Sequence, residues 1–397
     1  MLVDHWNEVV AQNADGIAFW HPDSPGGLTF HEIELVARHV DTSGEIVHAI
    51  GTSLTFFPSL LAGWRAGKPV LLLENESSSA RPIKCEVPRG TALIKQTCGA
   101  SGIERSLFFT EAQVLAEGLR NISGLGLHAE RRGVAAISLA HSYGFGCLAL
   151  PLLLGGIPVD AVAGPLPMMM DAALGRGGEV FLPGVPAIWK TWAQTGIAAQ
   201  PAISLALSAG SPLSLELENS VFSECGLKIH NFYGTSETGA IAFDRSEEPR
   251  KRQGFVGEAL PGIELSTDKT GRILVSTDSC ASGTDIPAWD GEFEGAYLTL
   301  DQGEVSESGV FVNRCIGRAI NVAGRKVSPN RLRAILETLP GVKLAAIERE
   351  FSRDFERFEE IRVRLHMEGD FDKKALREQL RQKVESWEMP RSWEFES

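Results

Sequence analysis

Three short segments carry residue types whose spacing suits chemistry on a nucleotide. In LIKQTCGASGIERSLFFT (93–110), a strand-like run enters a turn rich in hydroxyls and glycine. Backbone N–H groups freed at Gly99 and Gly102, with the hydroxyls of Thr97 and Ser101, could cradle polyphosphate oxygens, and Arg105 would add positive charge. In NFYGTSETGA (231–240), Tyr233 could stack on a purine, Ser236 could bond a phosphate, and Glu237 could hold Mg²⁺ through a carboxylate oxygen. In AYLTLDQGEVSESGVFVNRCIGR (296–318), Asp301 at the end of a β-like run could accept both hydroxyls of a ribose, and Arg318 could brace the same sugar. Taken singly, each segment also reads as an ordinary turn with a satisfied polar cluster.

Positioning such groups needs a scaffold, and the hydrophobic pattern supplies one. HEIELVARHV (31–40) has apolar residues at helical spacing, SLLAGWRAG (59–67) reads as a helix closed by glycine, and PVLLLE (69–74) as a buried strand. AAISLA (135–140), ISLALSAG (203–210) and LKIHNFYG (227–234) read as strands that each run into a small-residue turn. Strand, turn and helix in repeated order predict an α/β chain with layered, largely parallel sheets and helices on both faces. Ligands gather at the carboxyl ends of strands in such sheets. From about Gly254 the pattern changes to short β-like runs, GFVGEALPGIELST, GRILVST and EGAYLTL, consistent with a small β subdomain at 254–317. Beyond Gly317, VSPNRLRAILETL is a helix opened by Ser328 and Pro329. VKLAAIER and EIRVRLHME alternate like strands, and DKKALREQLRQKVESW is an amphipathic helix. This α+β module is expected to form a small C-terminal domain, 318–397, behind a large domain, 1–317.

Bulk properties narrow the classes. The chain has 397 residues, enough for two cores, and 38 basic against 51 acidic side chains, a net charge of −13. Neither a basic excess nor a basic stripe is present, which argues against nucleic acid. Six cysteines are scattered without a CxxC pair, arguing against a zinc site or a disulfide framework and suiting a reducing compartment. The longest apolar stretch, 147–163, is interrupted by Pro151, Gly155, Gly156 and Pro158 and is too short to span a bilayer. The N-terminus lacks the apolar region of a signal peptide, so a cytoplasmic location is expected. The motif GxxxxGK[ST] is absent, which excludes a P-loop NTPase.

In their order and separations the segments resemble the adenylate-forming superfamily of acyl- and aryl-CoA synthetases, AMP-dependent ligases, peptide-synthetase adenylation domains and luciferases. TCGASGIER resembles that family's phosphate loop, YGTSE its adenine and magnesium motif, TLD its ribose-gripping Thr-Gly-Asp, and IGR the Gly-Arg at its hinge. LSAGSPL (207–213), AHSYGFG (140–146) and GFVGEALPGIEL are weaker echoes, so that the resemblance runs from about Phe30 to Phe395. It implies a ligase that condenses a carboxylic acid with ATP, uses Mg²⁺, and passes the acyl group to CoA or a carrier-protein phosphopantetheine. It also implies roles: Tyr233 and Gly234 at the adenine, Ser236 at the α-phosphate, Glu237 on the metal, and Asp301 with Arg318 on the ribose. Thr97, Gly99, Ser101 and Gly102 would wrap the outer phosphates, with Arg105 as clamp. The acyl pocket would be lined by His141, Phe145, Ser208, Gly210, Asn231 and Phe232; His141 also has the plain reading of a packed histidine at a strand end.

The pattern departs from the family at several points. Arg105 and Glu104 replace the usual Lys and Pro of the phosphate loop. The hinge segment GRAINVAGRK is shortened, with Asn321 where a lysine is usual. The sequence stops at MPRSWEFES, before the family's final Gly-Lys segment, and the first 200 residues have trimmed loops. Arg325 or Lys326 could replace that lysine, a partner or a longer natural chain could supply it, or the chain could be a nucleotide- and acid-binding scaffold without the chemistry. The substrate is expected to be a small carboxylic acid. A patch at Arg250, Lys251 and Arg252 is the candidate contact for an acyl carrier protein.

Overall fold

The computed structural model describes residues 1–76, 80–97, 101–286, 293, 295–369 and 371–396. Gly99 lies outside them. Among the described residues the α/β architecture is as expected, with a thirteen-stranded sheet, a five-stranded sheet, and smaller sheets near the C-terminus. The strands Ile229–Thr235, Ile203–Ser208, Glu179–Gly184, Arg131–Ala135, Val159–Ala161 and Ile17–His21 run parallel in that spatial order. The second sheet places Thr91–Thr97 between parallel Val70–Leu73 and antiparallel Arg105–Thr110. The apolar core between these layers is built from side chains such as Phe19, Phe57, Leu60 and Leu148, all fully buried.

Three local features decide how the cavity is framed. First, the β-rich stretch 254–317 continues the large sheet through Gly239–Phe243 and Phe255–Ala259, antiparallel. Second, the strand expected over 135–140 lies earlier, at Arg131–Ala135. Ser138 turns the chain instead, accepting from the N–H groups of Ala140 through its hydroxyl (3.3 Å) and of His141 through its carbonyl (3.3 Å). His141 is thereby placed at the start of the helical turn Ser142–Gly144. Third, Thr110 and Gln113 form a reciprocal cap that starts the helix Glu111–Gly124. That helix packs under the cavity and carries buried Glu117 and Asn121.

The C-terminal residues have their own apolar cluster, including Ile320, Leu332, Leu336, Val363, Leu365 and Leu380. Ser328 caps the helix Pro329–Leu336 by accepting from the Arg331 N–H, as its sequence suggested. The terminal strand Ser392–Glu396 pairs in parallel with Glu359–Met367. Several hydrogen bonds and ion pairs join the residues beyond 318 to the preceding chain. The Asn321 amide donates to the Gly210 carbonyl (2.9 Å), the Ser328 hydroxyl to the Gly102 carbonyl (2.6 Å), and Lys190 pairs with Asp354 (2.8 Å).

Candidate active site

A cavity of about 1330 Å³ opens where the parallel strands end and the C-terminal residues close over them. It is lined by Thr97, His141, Gly210, Asn231, Phe232, Tyr233, Gly234, Ser236, Glu237 and Asp301 among the expected residues. Chain segments more than 200 residues apart in sequence therefore meet here, at the position that open parallel sheets reserve for ligands.

Within it, the Tyr233 hydroxyl donates to the Asp301 carboxylate at 2.8 Å, so the groups expected at adenine and ribose are already coupled. Burial, and then the charge of Asp301, push the Tyr233 phenol well above its ordinary value and keep it a donor. The same two causes push the neighbouring Cys315 thiol up to about 11. The Ser142 hydroxyl donates to that of Ser236 at 3.0 Å, and the Asn231 amide donates to the Phe255 carbonyl at 2.8 Å. Desolvation holds the half-buried His141 below the ordinary histidine value, so the imidazole is neutral at pH 7. Gly210 adopts φ +83°, a conformation that favours glycine, and brings its backbone against Gly324 of the segment GRAINVAGRK.

Other expected residues sit elsewhere. Arg105 is buried beneath the cavity, where its guanidinium holds Glu237 Oε1 at 2.7 Å and the Tyr297 hydroxyl at 3.2 Å. It also lies over the rings of Phe293 and Tyr297. Ser101 and Gly102 are buried and do not line the cavity, and Phe145 and Ser208 are fully buried behind its wall. Arg318 is exposed and off the lining, whereas Lys326 and Arg325 are on it. The basic patch does not survive: Arg250 is buried and pairs with Glu218 at 2.7 Å, and exposed Arg252 pairs with Glu304 at 2.6 Å. Among the described residues no cluster of three or more His, Cys, Asp or Glu could hold a metal unaided. Nor is any helix among them long and apolar enough to cross a membrane.

Some lining groups were not anticipated. Glu117 and Asn121 reach the cavity from the helix Glu111–Gly124, and Glu117 pairs with buried Lys95 at 3.0 Å. The available signals were a lysine inside the apolar run ALIK, and polar residues at i and i+4 on the same helix face as Val114.

Comparison with known proteins agrees with this geometry. Residues 97–278 match the family model of AMP-binding enzymes. An uncharacterized acyl-CoA ligase of Bacillus subtilis, YhfT, is 24% identical over 181 residues, which is 43% of this chain and 36% of that protein. Among solved structures, o-succinylbenzoate CoA synthetase (MenE) from Bacillus subtilis superposes with a TM-score of 0.82 at 16% identity, covering 98% of this chain and 94% of that one. A malonyl-CoA ligase, solved with methylmalonyl-CoA and AMP, gives 0.80 at 18% identity with 96% of both chains covered. Residues 97–278 are thus similar to AMP-binding enzymes, and the chain has the adenylate-forming fold, as the motif resemblance implied.

Proposed function

We propose that this chain activates a carboxylic acid with ATP and hands the acyl group to a thiol, of CoA or of a carrier-protein phosphopantetheine. The observation that carries the reading is the convergence of Thr97, Tyr233, Ser236, Glu237 and Asp301 on one cavity with a neutral histidine. In the first step a carboxylate oxygen attacks the α-phosphorus, the new acyl–O–P bond forms, and pyrophosphate departs with the electrons of the broken P–O bond. In the second the thiol sulfur attacks the acyl carbon, AMP leaves, and the thiol proton goes to solvent.

This chain's own groups fit those demands. Asp301, steadied by Tyr233, accepts from the ribose hydroxyls. The paired hydroxyls of Ser142 and Ser236 donate to the α-phosphate, and the Thr97 hydroxyl to the outer phosphates. The neutral His141 borders the acid's carboxylate without adding charge. Lys326, close enough to Cys315 to act on its thiol, is the cation at the nucleotide end, taking the place first expected of Arg318. Glu237 suits Mg²⁺, which commonly takes one or two carboxylates together with substrate phosphates and water. When bound, the metal neutralises charge on the phosphates. Arg105 fixes the Glu237 carboxylate in place. The C-terminal unit, from about residue 318, docks through polar contacts and has its own core, which suits a unit that moves between the two half-reactions.

Capture of the activated acid by hydroxylamine, across aromatic and aliphatic acids, tests the reading. ATP-dependent hydroxamate with at least one acid supports it. Normal ATP binding with no hydroxamate from a broad panel refutes it.

A further inference from the structure

The floor of the cavity contains a charged and polar group that the activation chemistry does not use. The Glu117 carboxylate, 2% exposed, is paired through Oε2 with Lys95, itself 3% exposed and set against the ring faces of Phe109 and Phe145. Space for the carboxylate exists only because two neighbours lack a side chain. A Cβ at Gly146 would stand 2.8 Å from Glu117 Oε1, and one at Gly239 would stand 2.7 Å from its Cδ. Beside it Asn121, 1% exposed, donates through Nδ2 to the Gly146 carbonyl at 2.9 Å, which fixes the orientation of the amide. Its Oδ1 has no hydrogen-bond partner among the described residues. A buried acceptor without a donor is costly, and a buried ion pair is rarely worth more to stability than apolar packing of the same volume.

We propose that this floor selects the acid: a carboxylic acid bearing a neutral hydroxyl at the end remote from its carboxylate, donated to Asn121 Oδ1 beside Glu117. The inference rests on the acid-activation reading for its placement of the carboxylate at the nucleotide end. The floor offers acceptors, so the ligand must bring a donor. Lys95 already balances Glu117, so an ammonium would leave a net buried charge. A second carboxylate would set acceptor against acceptor. Phe232, Ala240 and Cys147 supply an apolar path between the two ends.

The test is calorimetric binding of matched acids to the full chain with AMP present, on a benzoate and on a short aliphatic frame, each ending in methyl, hydroxyl, amine or carboxylate. The hydroxyl member should bind at least about tenfold more tightly than its methyl counterpart, since a site that hydrogen-bonds a hydroxyl rejects the analogue lacking it. In Asn121→Leu the order of these two should reverse. The wild-type series decides the matter even if that variant does not fold. A methyl, amine or carboxylate member binding tightest, or no member binding, overturns the inference. Hydroxyl preference without hydroxamate formation would refute activation and leave this selection standing; hydroxamate formation without the preference would do the opposite.

Discussion

Glu237 and Arg105 provide the sharpest test of how the site is built. Their side chains are 4% and 3% exposed and meet at 2.7 Å. Replacing Glu237 by alanine removes this carboxylate from a guanidinium that also bonds the Tyr297 hydroxyl, lies over the rings of Phe293 and Tyr297, and has further interactions. Removing one member of a buried pair typically costs about 3–5 kcal/mol. Ring faces return about 1 kcal/mol of that to a desolvated cation. The expected loss for Glu237→Ala is therefore about 2–4 kcal/mol, read as a shift of the urea unfolding midpoint. Joining Arg105→Met to Glu237→Leu removes both charges and should recover most of the loss, because an apolar replacement of a whole buried pair is often neutral. A single substitution costing under about 1 kcal/mol, or a double one no more stable than the single, would refute the claim that Arg105 serves Glu237.

Further expectations concern pH and the C-terminal unit. Burial holds His141 and His230 below the ordinary 6.5, so as pH falls below about 6.5 the unfolded chain takes up protons that the folded one does not. Stability should fall over that range, and less steeply in a His141→Gln/His230→Gln chain; identical urea midpoints from pH 8 to 5 would contradict this. Burial raises Glu356 above its ordinary 4.5, so its favourable contribution is present below that value and lost as pH rises through the folded one. Glu356→Gln, which can keep the bond with Ser214, should unfold at higher urea than wild type at pH 7.5, with the advantage shrinking towards pH 4. Lys326→Ala should weaken MgATP by about tenfold, a loss of about 1.4 kcal/mol, and Arg318→Ala should leave it nearly unchanged. Equal effects in titration calorimetry would remove Lys326 from the nucleotide site.

Much of the fold could be read from local pattern. The runs PVLLLE and ISLALSAG are strands because their apolar residues fill both faces of a buried sheet, and Ser328 with Pro329 starts a helix through capping geometry that neighbours alone decide. The shift of one strand to Arg131–Ala135 was hidden because Ser138 competes for the backbone by a local turn, which alternation of apolar residues does not register. The motif residues converge because parallel strands end at one edge, a property of the architecture. What local pattern could not show are pairings across long separations. Arg105 meets Glu237 132 residues away, and Arg250 pairs inward with Glu218 instead of forming a surface patch. In both, a cation expected on a ligand or partner is taken by a carboxylate from elsewhere in the chain. The floor formed by Lys95, Glu117 and Asn121 was likewise invisible until the helix Glu111–Gly124 lay against the strand Thr91–Thr97.

Acid-dependent exchange of labelled pyrophosphate into ATP reads the proposed activation most directly, because it needs the acyl-adenylate to form and reverse. With hydroxyl-bearing acids the exchange should rise above the acid-free rate, and Glu237→Gln should lower it by about a hundredfold or more, as loss of transition-state charge stabilisation does. Exchange that stays at the acid-free rate across the whole panel, in a chain that still binds ATP, would contradict it.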